Sequence, residues 1–271
     1  MDNDSYLDEL ESKTIYIIRE AYWEYKGNLA ILWSMGKDST TLMHLARKAF
    51  LGNIPIPVVH IDTSFKFKQI YEFRDRCAKK WNFKLIIARN DTALKEGMSP
   101  EKGRFNCCSA LKTEALKQVI QKHNFKALLV AIRRDEHTIR AKERYFSLRD
   151  KEFRWDYQNQ PLELWTEYYK TEGEAGTHIR VHPLLHWREI DIWRYIKRER
   201  LPVVSLYFAK KGKRYRSIGC ESCCEPIESS ADTINKIIKE IQRTTISERS
   251  GRTQDKEKAY MMQKLRALGY M

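Results

Sequence analysis

Short apolar runs alternate with longer amphipathic stretches along the first half of the chain. Turn-forming residues bound the apolar runs, as is typical of strands buried in a sheet. The first amphipathic stretch, 5–26, places its apolar residues near one face, as a packed helix does. The predicted strands are 28–33, 56–62, 83–88 and 126–132, and the further predicted helices are 39–51, 67–81 and 108–123. This alternation predicts an α/β fold, with a parallel sheet and helices on both of its faces.

The second half of the chain has a less regular pattern. Polar and aromatic residues dominate 144–178, which predicts long loops. Beyond them we predict a strand at 178–185 and helices at 188–200, 232–243 and 254–268. We therefore expect a nucleotide-binding domain at 1–180. A mostly helical and loop-rich part at 181–271 should complete the active site and the partner interface.

Composition adds a strong positive charge to this picture. Among 271 residues, 50 are Lys or Arg and 36 are Asp or Glu, which gives a formal charge of +14. Such a surplus favours anionic partners, although the basic residues are spread along the chain and form no RNA-binding motif. We expect no nucleic-acid partner. An acidic N-terminus and the lack of a run of about 20 apolar residues argue against a signal peptide or membrane span, and we expect a cytoplasmic protein.

The turn after the first predicted strand carries a candidate phosphate-binding loop, Ser34–Thr40. Gly36 permits a tight turn, Lys37 adds a positive charge, and the next helix begins here with free backbone N–H groups. A Walker A loop would need glycine where the chain has Ile31. The sequence SMGKDS instead resembles the PP-loop of the N-type ATP pyrophosphatases, which release pyrophosphate from ATP.

Two other strands end in polar residues that can bind a nucleotide or an oxyanion. Asp62 and Thr63 follow the second strand, and a carboxylate there suits a nucleotide or its magnesium ion. Arg133 and Arg134 follow the fourth strand, with Arg144 further along. Guanidinium groups match the oxygens of phosphate and sulfate with paired hydrogen bonds.

Several long segments, in the same order, resemble the small catalytic subunit of the heterodimeric bacterial ATP sulfurylases, within the PAPS reductase and PP-loop superfamily. They include SMGKDSTTLMHLARKAF, HIDTSFKFKQIYEFRDRCA, RRDEHTIRAKERYFSLRD, LPVVSLYFA and TTISERSGRTQDKEKAYMMQKLRALGY. The resemblance implies an adenine nucleotide alpha-hydrolase-like fold. It also implies the conversion of ATP and sulfate to adenosine 5′-phosphosulfate and pyrophosphate, with Mg²⁺ accompanying ATP and a GTPase large subunit as partner.

The resemblance and the charges of the reaction together suggest roles for these residues. The β and γ phosphates that leave should be held by Ser34, Gly36, Lys37, Asp38, Ser39 and Thr40. Asp62 and Thr63 should contact the nucleotide or the metal ion. Lys37, Arg133 and Arg134 are the expected catalytic residues. Arg133, Arg134 and Arg144 are the candidates for sulfate and for the charge that develops on the α-phosphate.

The cysteines depart from the sulfurylase pattern. Cys107 and Cys108 are adjacent, and Cys220 and Cys223 form a C-x-x-C pair, which resembles the iron–sulfur ligand set of adenosine phosphosulfate reductases. Three interpretations stay open: a [4Fe–4S] cluster, a zinc ion, or reduced thiols without metal. A reductase is therefore an alternative function, although residues 225–271 contain no cysteine to attack sulfur. A PP-loop enzyme that thiolates tRNA is a lesser alternative.

Overall fold

A computed structural model describes residues 3–158, 160, 163, 176–252, 264, 265 and 267–269. Most of the helix predicted at 254–268 lies outside the described residues. Within the described part of the chain, no helix is both long and apolar enough to cross a membrane.

A six-stranded sheet forms the centre of the fold, in the order β3-β2-β1-β4-β6-β5. Five strands run parallel, and β5 pairs antiparallel with β6. The predicted α/β fold with a parallel sheet is confirmed. The strands are β1 Leu29–Leu32, β2 Val58–Ile61, β3 Leu85–Ala88, β4 Ala127–Leu129, β5 Phe146–Arg149 and β6 His178–Val181, and a small ribbon pairs β7 Lys213–Arg214 with β8 Ile227–Glu228.

The prediction of loops throughout 144–178 is wrong at 146–149, where the chain forms strand β5. Its sequence, FSLR, is short and half polar, so it lacks the apolar run that identifies the central strands. The buried Arg149 guanidinium donates to the Glu143 carboxylate at 2.8 Å, which makes a charged residue acceptable inside the sheet. Strand β6 crosses the predicted boundary at 180/181, and the division into two parts stays a prediction.

The helices cover the sheet and have the bounds α1 Asn3–Glu24, α2 Lys37–Ala49, α3 Lys68–Trp81, α4 Asp91–Lys95, α5 Arg104–Cys108, α6 Ala115–His123, α7 Glu189–Arg198 and α8 Ile234–Arg243. The stretch predicted as one helix at 108–123 is interrupted, because a π-helical segment at Ser109–Glu114 separates α5 from α6. Such segments insert an extra residue into a helix and often mark functional sites. Short 3₁₀ segments occur at Pro100–Lys102, Arg134–Glu136, Thr138–Lys142, Ser205–Tyr207 and Glu221–Cys223.

The core lies between the sheet and its helices. Trp33, at the end of β1, packs against Phe73, Trp81 and Phe83 with ring centroids 5.6 to 6.5 Å apart. On α1, the Thr14 hydroxyl donates to a backbone carbonyl and accepts a hydrogen bond of 2.8 Å from the indole of Trp187. Because β1, β2, β4 and β6 are parallel, their carboxyl ends share one edge of the sheet, where ligands bind in such folds.

Candidate active site

The loop between β1 and α2 has the geometry of an anion-binding turn. Gly36 precedes the first turn of α2, and its backbone lies next to the hydroxyls of Ser34 and Tyr207. The backbone N–H of Lys37 donates to the Tyr207 hydroxyl at 2.9 Å. The hydroxyls of Ser34 and Ser39 lie 3.1 Å apart at the mouth of the loop. The positive end of the helix dipole and the two hydroxyls together favour an anion at this position.

A charge network that is largely buried, but exposed at Asp135, supports this loop. The Lys37 ammonium lies 3.1 Å from the Asp38 carboxylate and also pairs with Glu248. The Arg133 guanidinium donates to Asp135 at 2.9 Å and also pairs with Asp38 and Glu248. Glu248 therefore bridges the two cations predicted to bind anions. We call these five residues the phosphate-loop cluster.

The environment fixes the charge of Glu248 and Arg133. Burial alone would raise the pKa of Glu248, but Arg133 and Lys37 outweigh it and hold the pKa well below its usual range. Burial would lower the pKa of Arg133, and the carboxylates of Glu248 and Asp135 raise it instead. Both groups are therefore charged at neutral pH, and the Glu248 carboxylate pairs with both cations of the cluster.

A cavity of about 150 Å³ opens beside the loop. Its walls come from the carboxyl ends of β1, β2 and β4 and from the C-terminal part of the chain, including residues 217–219. Six basic and three acidic side chains line it, so the cavity favours anions. These are Lys37, Lys66, Lys112, Arg140, Arg249 and Arg252, with Asp38, Glu136 and Glu248.

The structure brings together most of the predicted phosphate-loop residues. Ser34, Gly36, Lys37, Asp38 and Ser39 all line the cavity. The hydroxyl of Thr40 instead accepts a hydrogen bond of 3.2 Å from the indole of Trp33, inside the core. Arg133 is completely buried and is not among the residues that line the cavity. It pairs with Asp38 and Glu248, which do line it.

The remaining predicted residues lie elsewhere. Asp62 accepts hydrogen bonds from the Ser64 backbone at 2.8 Å and from the Tyr71 hydroxyl at 2.9 Å, and it faces a different surface pocket. Thr63 is buried, with its hydroxyl 3.2 Å from the Cys220 sulfur. Arg134 stacks over the Tyr145 ring and lies 3.9 Å from Glu163. The backbone carbonyl of Arg144 contacts the His182 ring at 2.7 Å.

The two cysteine groups, one at 107–108 and one at 220–223, lie close enough to influence each other's pKa values. Cys107, Cys108, Cys220 and Cys223 are all buried and outside any disulfide. Burial raises the pKa of Cys107 to about 12, with contributions from Cys108, Cys220 and Cys223. For Cys220, burial is opposed by Lys112, Lys66, Thr63 and Arg252, which lower its pKa to about 6. Within the described ranges, no three His, Cys, Asp or Glu side chains form a group that could hold a metal ion.

Residues that sequence reasoning left without a role complete the cavity. Glu248, Arg249 and Arg252 belong to one segment of the C-terminal part, and Tyr207 ends the 3₁₀ segment Ser205–Tyr207. The Arg249 guanidinium pairs with Glu136 at 3.0 Å, which ties this segment to the turn after β4. Their segments, TTISERSGR and LPVVSLYFA, carried the family resemblance, so the signal was present. No spacing rule, however, indicated that they fold against the phosphate loop.

Comparison with known proteins places the chain first in a broad class of domains. Residues 28–226 match the family model of the phosphoadenosine phosphosulfate reductase domain. The fold is similar to a phosphoadenylyl-sulfate reductase from Candida auris, at 18% identity and a TM-score of 0.56, over 82% of this chain and 96% of that one. It is also similar to yeast FAD synthetase, at 16% identity and a TM-score of 0.60, over 93% and 92% of the two chains.

Full-length relatives define the family more narrowly. The chain is 42% identical to the sulfate adenylyltransferase subunit 2 of Psychromonas ingrahamii, over 98% of both chains. It is 40% identical to the protein of the same name from Pseudoalteromonas translucida, over 98% of this chain and 99% of that one. The chain therefore belongs to the sulfate adenylyltransferase subunit 2 family, and the resemblance noted in the sequence is confirmed.

Proposed function

We propose that this protein is the catalytic subunit of a sulfate adenylyltransferase, which converts ATP and sulfate to adenosine 5′-phosphosulfate and pyrophosphate. A sulfate oxygen attacks the α-phosphorus, the bond from the α-phosphorus to the bridging oxygen of the β-phosphate breaks, and pyrophosphate leaves with that electron pair. The main support is the cavity at the phosphate loop, where Lys37 and the start of α2 face a basic chamber. Such a transfer needs positioning and charge neutralisation and no covalent enzyme intermediate.

The geometry supports distinct roles for the loop residues. Ser34, Ser39 and the first N–H groups of α2 would bind the β and γ phosphates, and Lys37 would neutralise the departing pyrophosphate. Arg133 would act through Asp38 and Glu248, since its guanidinium already pairs with both carboxylates. Entry of a polyphosphate must weaken the pairing of Glu248 with Lys37, because both anions compete for the same ammonium group.

ATP would arrive with Mg²⁺, which binds carboxylate and phosphate oxygens. Asp38 is the carboxylate of the loop itself and lines the cavity, so it is our candidate for holding this ion. Asp62, the residue indicated by the sequence, is bound to Ser64 and Tyr71 in another pocket. Mg²⁺ would supply further neutralisation of the phosphate charges.

The cysteines are our candidates for a [4Fe–4S] cluster that has no role in the transfer of AMP. Four buried thiols from two distant segments influence one another, and the lowered pKa of Cys220, about 6, favours the thiolate form that binds iron. Each iron of a cluster takes one thiolate, so its ligand sulfurs lie farther apart than those around a single zinc ion.

Metal analysis tests this cysteine centre independently of catalysis. Protein purified anaerobically should be brown and contain iron and acid-labile sulfide, and Cys223→Ser should lose most of both. Cys77→Ser is the matched control, because Cys77 is an equally buried thiol on α3. A colourless wild-type protein free of iron would contradict the cluster.

A second subunit is implied by the names of the relatives, which are all called subunit 2. We propose a GTPase large subunit as this partner and the cytoplasm as the site of action. GTP hydrolysis would drive an unfavourable equilibrium, and docking would order the loops around the active site. The partner should raise the rate of pyrophosphate release, whereas GTP should have no effect in its absence.

The experiment for the proposed reaction measures pyrophosphate release from ATP with and without sulfate, using the chain together with its partner subunit. Sulfate-dependent release supports the proposal. Thioredoxin-dependent release of sulfite from adenosine 5′-phosphosulfate would instead support a reductase. The cysteine set favours that second candidate, but the chemistry requires a further thiolate and residues 225–271 provide none.

A further inference from the structure

Three cations from distant parts of the sequence meet beside the phosphate loop. Lys66 follows β2, Lys112 lies in the π-helical segment after α5, and Arg252 lies in the C-terminal part. All three line the cavity. We call them the basic cluster. They are separate from the phosphate-loop cluster, whose two cations pair with carboxylates of their own.

Backbone pairing holds two members of the basic cluster in place. Lys66 forms an isolated β-bridge with Cys220, and Cys224 forms another with Arg252. The backbone N–H of Glu221 donates to the carbonyl of Phe65 at 2.8 Å, which strengthens the first bridge. The segment around Cys220–Cys224 thereby joins the strand end that carries Lys66 to the C-terminal segment that carries Arg252.

A glycine provides the space for the Arg252 guanidinium. A β-carbon at Gly219 would overlap with both terminal nitrogens of Arg252, so the guanidinium lies directly against this backbone. One of these nitrogens also donates to the Cys224 sulfur at 3.1 Å. Contacts with Gly219 and Cys224 therefore fix the position of the Arg252 side chain, which is buried.

The three cations lie close enough together to act on one another, since the charges of Lys112 and Arg252 both act on Lys66. Like charges that line one cavity repel each other, and an anion bound among them would offset that repulsion.

The geometry points to the basic cluster of Lys66, Lys112 and Arg252 as the subsite that binds sulfate for attack on ATP. This inference rests on the proposed function. In-line transfer places the nucleophile and the leaving pyrophosphate on opposite sides of the α-phosphorus, so sulfate needs a subsite apart from the phosphate loop. A tetrahedral dianion suits cations that approach from three segments. Arg133, the sequence-based candidate for sulfate, is instead bound to Asp38, Asp135 and Glu248.

The test compares Lys66→Ala and Lys112→Ala with the wild type, each as the full chain with its partner subunit. The KM for sulfate should rise about 10- to 100-fold, because each variant loses a charge-assisted hydrogen bond to the anion. The Kd for ATP, measured by calorimetry without sulfate, should change less than about threefold. Lys68→Ala is the matched control, since Lys68 begins α3 two residues after Lys66 and its side chain is 89% exposed.

A second variant tests the geometry without removing a charge. Gly219→Ala should displace the Arg252 guanidinium and raise the KM for sulfate about tenfold, with ATP binding retained. An unchanged KM for sulfate in all three variants would overturn the assignment. So would a loss of iron from Lys66→Ala and Lys112→Ala with normal sulfate kinetics, because the cations would then serve the cysteine centre. If the wild type shows no sulfate-dependent reaction, the proposed function itself fails.

Discussion

The two charged clusters of the cavity balance their cations in different ways. In the phosphate-loop cluster, Lys37 and Arg133 pair with three carboxylates, and one of these, Glu248, is 211 residues from Lys37 and 115 from Arg133. In the basic cluster, cations lie near thiols. In the proposed roles, the first cluster exchanges a carboxylate for the phosphates that leave, and the second binds sulfate. One cavity would then distinguish the leaving group from the nucleophile.

Arg133→Met should produce the largest change in stability, because it removes the cation that pairs with all three carboxylates of the phosphate-loop cluster. The substitution leaves Asp38, Asp135 and Glu248 without their shared buried cation. We expect a loss of about 3–5 kcal/mol in the free energy of unfolding, measured with urea. Arg133→Lys keeps the charge but not the planar fork, and it should lie between this variant and the wild type.

Arg154→Met is the matched control for Arg133. Arg154 pairs with Asp150 and Glu152 at the surface, with 58% of its side chain exposed. We expect no measurable change in stability, since water and salt screen exposed pairs. Equal effects at the two positions would show that the phosphate-loop cluster is not a buried structural network.

Lys37→Ala tests whether the phosphate-loop cluster acts on the leaving group. The variant removes the charge proposed to face pyrophosphate and should cost about 2–4 kcal/mol of transition-state stabilisation in kcat/KM. Lys236→Ala is the control, because Lys236 in the first turn of α8 pairs with Asp232 just before the helix, and both side chains are exposed. Near-normal turnover in Lys37→Ala would contradict the placement of the phosphates at this loop.

Glu248→Gln tests the charge of the phosphate-loop cluster through the pH dependence of stability. The folded protein holds the pKa of Glu248 below its ordinary value, so the carboxylate stabilises the fold above that ordinary value of about 4.3. The wild type should exceed Glu248→Gln by about 2 kcal/mol in unfolding free energy at neutral pH. The difference should shrink as the pH falls below about 4.3. A difference that is constant or grows towards acid pH would contradict this charge assignment.

Arg134→Ala should have the smallest effect, although the sequence suggested a catalytic role. Its guanidinium lies over Tyr145 and is 38% exposed, away from both clusters. We expect kcat/KM to change by less than about 0.5 kcal/mol in transition-state free energy. A loss comparable with that of Lys37→Ala would restore the sequence-based role and weaken the contrast between the two clusters.

The difference between the two clusters also explains what the sequence could predict. The buried strand β1, the turn at Gly36 and the start of α2 are contiguous, so local pattern rules locate the phosphate loop. Pairing between Lys37 and Glu248 joins residues 211 positions apart, and no periodicity reports such a contact. The same holds for the bridge between Lys66 and Cys220. Topology, which follows from packing of the whole sheet, decides which distant residues complete the site.

Two further features, the π-helical segment and strand β5, could not be predicted from the local sequence pattern. The π-helical segment at Ser109–Glu114 has the composition of an ordinary helix, and its altered hydrogen bonding changes which side chains face the cavity. Strand β5 is hidden because Ser147 and Arg149 are polar and buried together, with the hydroxyl accepting from the guanidinium at 2.7 Å. Polar side chains that satisfy each other inside a fold break the hydrophobic pattern on which sequence prediction depends.

The most direct test of the central claim follows the fate of radiolabelled sulfate. The wild-type chain and its partner subunit are incubated with labelled sulfate, ATP, Mg²⁺ and GTP, and the nucleotides are separated. The account predicts label in adenosine 5′-phosphosulfate together with an equal amount of pyrophosphate, and loss of both in Lys37→Ala. Pyrophosphate release that proceeds without sulfate, with no label in any nucleotide, would contradict it.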